Sequence, residues 1–167
     1  EFINREVQGS IDFRKEINLK NISFNYQNST KKIITKLNLK IKKNDFICIY
    51  GTSGLGKSTL INIVSGLLKE TSGDFLVDNK KINCETSTWR KKISLVPQNI
   101  FLLDDSIKTN IILNEKLFDE KKFLQILKNV NLDSLIDSKK DGYNYQVGDN
   151  GSNLSGGQIQ RIGIARA

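Results

Sequence analysis

Polar and apolar residues alternate over two early stretches, and that period marks a strand with one buried face. In residues 17–26 the series is Ile17, Leu19, Asn21, Phe24 and Tyr26, and in residues 33–41 it is Leu37, Leu39 and Ile41. The turn-like Gln27, Asn28, Ser29 and Thr30 separate the two, which predicts an antiparallel pair. Residues 46–50 differ. Phe46, Ile47, Cys48, Ile49 and Tyr50 form an unbroken apolar run, the pattern of a strand covered on both faces. Gly51 ends that run, and Leu60, Ile63, Val64 and Leu67 then fall at helical spacing. Further short strands are predicted at 75–77, after Gly73, and at 93–96, stopped by Pro97, the only proline.

Helical spacing takes over from 106 to 137. Phe123, Ile126, Leu127 and Val130 mark one apolar face, and Leu132, Leu135 and Ile136 another. Residues 141–154 are rich in Gly, Asn and Asp and predict a loop, after which Ser155 opens a last helix. Residues 1–10 read as a polar linker and 11–167 as one domain, its helical part covering about 99–158. Strands, then a β–loop–α unit, then a helical insert predict an α/β core with appended pieces.

Composition narrows this picture little. A chain of 167 residues suffices for one domain with a buried core. Lys and Arg outnumber Asp and Glu by 26 to 18, a net charge of +8. That surplus fits nucleic acid, an anionic membrane surface, a polyphosphate ligand, or simply a solvated Lys-rich face. The cations come as scattered pairs such as Lys31 with Lys32 and Lys91 with Lys92, and form no basic arm. The absence of histidine removes His-based catalysis and His metal sites from these residues. Cys48 and Cys84 lie far apart and have no metal-ligand spacing. Cys48, inside the apolar run, is expected to be a reduced core residue. No apolar run approaches the roughly 18 residues of a membrane span, and no signal peptide opens the chain. Any membrane part is expected outside this sequence.

Gly51, Thr52, Ser53, Gly54, Leu55, Gly56, Lys57 and Ser58 follow the G-x-x-x-x-G-K-[ST] spacing, between a predicted strand and a predicted helix. Glycines let such a loop curl into an anion nest, and the helix N-terminus adds its positive dipole end beneath the phosphates. Lys57 is placed to bridge β- and γ-phosphates and Ser58 to ligate Mg²⁺. This predicts a nucleotide site but leaves kinases, GTPases and ATPases open. Further along, Leu154, Ser155, Gly156, Gly157 and Gln158 join a helix cap to two glycines that permit close approach to an anion.

Together with Val147, Gly148 and Asp149 before them, and Arg161, Ala165, Arg166 and Ala167 after, these residues resemble the signature region of ATP-binding-cassette (ABC) proteins. The resemblance runs over essentially the whole chain. It implies a RecA-like P-loop NTPase core with an antiparallel β subdomain and an α-helical subdomain. It also implies binding of ATP with Mg²⁺ by Gly51, Thr52, Ser53, Gly54, Leu55, Gly56, Lys57, Ser58 and Thr59. Tyr26 matches the aromatic that stacks on adenine, and Gln98, after Pro97, the glutamine that contacts Mg²⁺ and the attacking water. Ser155, Gly156, Gly157 and Gln158 match the motif that closes over nucleotide bound to a second nucleotide-binding domain.

Residues 101–111 and Val147-Gly148-Asp149 resemble the exporter branch, although Asp149 stands where the family usually has Glu. Asn44 and Asp45 similarly replace the usual Gly and Glu. An exporter motor on the cytoplasmic face of a membrane is therefore expected, with a transmembrane domain as partner and no nucleic acid. The alternative is a soluble cassette ATPase acting on nucleic acid or the ribosome. Its repair-type relatives separate the two motifs by coiled coils, which are absent here. The family's Walker B aspartate, catalytic glutamate, D-loop and switch histidine would follow the signature helix. Without them the core sheet is expected to be incomplete at its C-terminal end, and these 167 residues alone are expected to hydrolyse little ATP.

Overall fold

The first strand, β1 (Glu16–Phe24), buries Ile17 and Leu19 and then, past Lys20 and Asn21, Ile22 and Phe24. Its period of two skips at Asn21, whose φ is 50°, and the register with the next strand shifts between Leu19 and Ile22. This β-bulge explains why the apolar series loses phase in the sequence: one extra residue turns the strand's faces over. Asparagine tolerates the left-handed backbone there. Across the sheet, a Cβ on Gly73 would lie 2.6 Å from the Asn21 carbonyl oxygen, and its φ is +106°. Only glycine fits against the bulge.

These features come from a computed structural model, which describes residues 11–27, 29, 31–113 and 118–167. The expected linker at 1–10 lies outside the described residues, as do Asn28 and Thr30 of the predicted turn. The chain divides into two compact units, Glu1–Ser94 and Leu95–Ala167.

In the first unit β1 pairs antiparallel with β2 (Ile34–Lys42) and with β3 (Ser72–Val77), and β3 turns through Asp78 and Asn79 into β4 (Lys80–Lys81). The order β2-β1-β3-β4 gives one antiparallel sheet. Helix α1 (Lys57–Val64) and the short α2 (Ser87–Arg90) complete the unit. Leu19, Ile22, Ile63, Phe75 and Trp89 are each no more than 1% exposed and form the centre of the core. The Trp89 indole donates to the Val64 carbonyl at 2.8 Å, satisfying an acceptor that the end of α1 leaves open. Because α1 ends at Val64, Leu67 falls beyond the helix predicted to include it.

Two predicted strands do not form. Residues 46–50 and 93–96 have no ladder partner among the described residues. Phe46 is 97% exposed and Tyr50 89%, and Cys48 is exposed rather than in the core, so that expectation is corrected. The buried cysteine is Cys84. The physical reason is that a strand is a paired state: an apolar run signals burial but cannot supply the neighbour whose N–H and C=O groups complete it. In the antiparallel sheet β1 and β3 have a partner on each side without these runs, and β2 pairs with β1 alone.

The second unit is helical: α3 (Ile107–Ile111), α4 (Glu120–Asn129), α5 (Asp133–Asp137) and α6 (Gly156–Arg166). Its core centres on Leu102, Ile107, Phe123, Leu127, Leu132, Val147 and Ile162. The predicted helical stretch breaks where caps restart it. Ser106 accepts from the Thr109 N–H and Asp119 from the Lys122 N–H, each opening a new helix. The loop predicted at 141–154 contains two single 3₁₀ turns, Gly142–Asn144 and Asp149–Gly151.

Candidate functional site

The loop formed by residues 51–56 feeds directly into α1. Gly56 caps that helix with a left-handed backbone (φ 85°, ψ 13°), and the Leu60 N–H donates to its carbonyl at 2.8 Å. A Cβ at Gly56 would sit 2.9 Å from Ile33 Cγ2 and 3.2 Å from the Ile33 carbonyl oxygen. Glycine is thus required there both by conformation and by space. The Lys57 ammonium folds back over its own loop, donating to the carbonyls of Gly51 at 2.9 Å and Thr52 at 2.7 Å. An ammonium has three donors, so two are engaged and the charge is held at the mouth of the curl. No acidic residue occupies the first turn of α1, so nothing local offsets the positive end of its dipole. Ser58 is exposed on that turn, and Thr59 is buried.

Tyr26 lies two residues beyond β1 and is 45% exposed. The Phe24 ring meets it edge-on, with centroids 5.0 Å apart, and its hydroxyl is 3.1 Å from Thr59 Oγ1. Beside it opens a cavity of about 490 Å³ lined by Phe24, Gln27, Leu68, Glu70 and Glu85, among others. Nearby, Cys84 Sγ donates to Glu70 Oε2 at 3.3 Å. Burial, and then the Glu70 carboxylate, push this thiol up to about 12, which rules it out as a nucleophile at neutral pH.

In the second unit, Ser155 and Gln158 form a reciprocal cap at the start of α6. Ser155 Oγ accepts from the Gln158 N–H at 3.3 Å, and Gln158 Oε1 accepts from the Ser155 N–H at 2.8 Å. The serine cap is the one that the sequence predicts. The S-x-x-Q spacing also carried the signal for the glutamine's half of this capping box. Gly156 and Gly157 are exposed, and nothing lies within 4 Å of a Cβ on either. Their lack of side chains is not demanded by packing within the chain. Gln98 is exposed in an irregular segment of this unit.

Within the first unit the structure brings Tyr26 to Thr59, in the first turn of the helix that follows the loop. Ser155, Gly156, Gly157 and Gln158 are clustered in the second, with Gln98 elsewhere in that unit. Among the described residues no group of three or more His, Cys, Asp or Glu could hold a metal ion. In the first unit the donor at the start of α1 is a neutral oxygen, the exposed Ser58 hydroxyl, which fits Mg²⁺ only alongside phosphate oxygens and water, the way this ion is usually held beside nucleotides.

A curled glycine loop on a helix N-terminus, followed by a second, capped glycine helix, is the pairing that the sequence motifs implied. The family model for ABC transporters matches residues 34–167. The chain belongs to the ABC transporter family. It has the P-loop NTPase fold of that family and resembles the family's exporters. This ABC chain is 39% identical over 152 residues to the multidrug resistance-like ATP-binding protein MdlB of Buchnera aphidicola, covering 90% of the chain and 26% of that protein. It is 35% identical over 164 residues to the ATP-dependent lipid A-core flippase of Neisseria meningitidis serogroup B, covering 98% of the chain and 25% of the flippase. It also superposes on the structure of a bacterial Atm1-family ABC exporter with ATP bound, with a TM-score of 0.86 and 27% identity. That match covers 95% of this chain and 28% of the exporter chain. The chain thus spans about a quarter of the length of these ABC relatives.

Proposed function

We propose that the chain belongs to the ATP-binding and ATP-hydrolysing motor domain of an ABC exporter. The carrying observation is the phosphate loop. Gly56 sets its exit angle, the uncompensated N-terminus of α1 lies beneath it, and Lys57 is folded over it in reach of an incoming anion. In this reading the loop from Gly51 to Thr59 cradles the phosphates. Lys57 exchanges its two carbonyl contacts for β- and γ-phosphate oxygens, and Tyr26 stacks on adenine. Ser58 and Gln98 would hold Mg²⁺, which supplies charge neutralisation at the transferring phosphoryl group.

Ser155, Gly156, Gly157 and Gln158 would close over nucleotide held by a second nucleotide-binding domain. The bare backbone at 156 and 157 supports this, since a surface kept clear of side chains suits an anion approaching from outside the chain. Closure of the pair would drive a transmembrane partner, and hydrolysis would reset it. In this reading the domain would work on the cytoplasmic face of a membrane.

The test has two levels. Calorimetry should show ATP binding to the wild-type chain and its strong loss in Lys57→Ala, because a charge-assisted contact to phosphate is removed. Equal affinity in the variant would overturn the site. In the full-length protein, reconstituted in vesicles, ATP hydrolysis and cargo movement should both vanish with Lys57→Ala.

A further inference from the structure

We propose that the Tyr26–Thr59 hydrogen bond makes Thr59 a positioning residue, which holds the Tyr26 ring ready for the nucleotide base and so fixes the stacking platform relative to the phosphate loop. The inference rests on the reading above, in which Tyr26 stacks on the base and residues 51–59 hold the phosphates.

An exposed aromatic outside a strand is ordinarily free to change rotamer, and ordering it on binding weakens the complex. Tyr26 is held at both ends. The edge contact from Phe24, itself only 6% exposed on β1, locates the ring body. The hydroxyl reaches Thr59 Oγ1 at 3.1 Å, and Thr59 is 6% exposed in the first turn of α1, two residues after Lys57. The ring therefore ties the end of β1 to the helix whose N-terminus closes the phosphate loop. A threonine hydroxyl within a helix commonly turns back to the carbonyl one turn earlier. Here it pairs with the phenol.

The consequence separates two properties of tyrosine. Stacking needs only a π-face, which phenylalanine also has. Bridging to Thr59 needs the hydroxyl. A ligand with a base gains from a ring already in place, whereas inorganic triphosphate, which has none, does not.

The experiment uses the full-length protein without Mg²⁺, so that no turnover intervenes, and measures affinity for ATP and for inorganic triphosphate by calorimetry. Tyr26→Phe is expected to lower ATP affinity roughly three- to tenfold, the effect of one net hydrogen bond, with triphosphate affinity changed less than about twofold. Thr59→Val should lower the ATP-to-triphosphate affinity ratio similarly. Adding Tyr26→Phe to it should do nothing further, and Thr59→Ser should restore the ratio. Taking the ratio removes any direct effect of Thr59 on phosphate. Wild-type ATP affinity in Tyr26→Phe, or independent effects of the two substitutions, would overturn the bridge while leaving stacking intact. An unchanged ratio in Tyr26→Ala would instead show that Tyr26 does not touch the base, and would remove the stacking assignment and the bridge together.

Discussion

The Arg166 guanidinium and the Asn110 side chain lock the end of α6 to α3. Arg166 donates to the Asn110 backbone carbonyl at 2.8 Å, to Asn110 Oδ1 at 3.2 Å and to the Phe101 carbonyl at 3.0 Å. Asn110 is fully buried, and its amide donates to the carbonyls of Leu103 and Ser106 while Oδ1 also accepts from the Leu103 N–H. One buried amide thus satisfies the backbone of the turn before α3 and receives the charge from α6. Neither residue had a signal in the sequence beyond its place in a motif. Asn110→Ala should cost about 3 kcal/mol, because several buried backbone groups lose partners at once, and Arg166→Ala about 1–2 kcal/mol. Urea unfolding should also show the pair as non-additive. Additive losses would mean that the two act independently.

Asp78 makes a different kind of clamp. Its carboxylate accepts from the N–H groups of Arg14 at 2.6 Å and of Lys15 and Glu16 at 2.8 Å each, fastening the entry to β1 onto the β3–β4 turn. These bonds, that from Glu16 first, hold its pKa below the ordinary value of 3.8. A depressed folded-state pKa gives stability that is fully present above the unfolded value and is lost as pH falls through the folded one. The urea midpoint of the wild type should therefore drop below about pH 4 more steeply than that of Asp78→Asn, which accepts fewer of these bonds at any pH. Parallel pH profiles for the two proteins would show that the clamp contributes nothing.

The two cysteines predict opposite chemistry. Cys48 is exposed in the unpaired apolar run, while Cys84 is buried with its thiol pushed up to about 12. In the native 167-residue chain a maleimide should label Cys48 alone, and Cys84 should react only after denaturant is added. Protection of Cys48 would mean that residues 46–50 are covered in solution, for instance by strand pairing between copies.

How much of this was legible beforehand varied with the physics. Local signals read well: the helix after Gly56, the Ser155 cap, and the alternation in β1 and β2 each depend on neighbours in sequence. The bulge at Asn21 was visible only as a lapse of phase, because the residue that makes room for it, Gly73, lies far along the chain. Residues 46–50 failed for the complementary reason. Their hydrophobicity is a local fact, but a strand is a contract with another segment. The β-hairpin at Asp78 and Asn79 went unread although both residues favour the left-handed backbone that such turns need, with φ of 48° and 65°. The chain between 106 and 137 read as helical throughout, while the ends of α3 at Ile111 and of α4 at Asn129 and the new cap at Asp119 divide it.

The glycines of α6 offer the sharpest separation of stability from function. Alanine should replace Gly157 without a clash, since nothing lies within 4 Å of the added Cβ. It should also favour the helix, by up to about 1 kcal/mol in a helix interior and less in the first turn. Gly163, on the same helix, is the contrasting case: a Cβ there would lie 2.4 Å from Ile100 Cδ1 and 2.9 Å from Cγ1. Gly163→Ala should therefore lower the melting temperature, whereas Gly157→Ala should hold or raise it. If the bare backbone at 157 exists to meet nucleotide on a second domain, the full-length Gly157→Ala protein should nevertheless lose most of its ATPase turnover. Its affinity for ATP at its own phosphate loop should stay near wild type, because residues 51–59 are untouched. A stable Gly157→Ala protein with normal turnover would show that the glycine is dispensable and would remove α6 from the composite site. Loss of both stability and turnover would place the cause in folding instead, against the open space seen around this position.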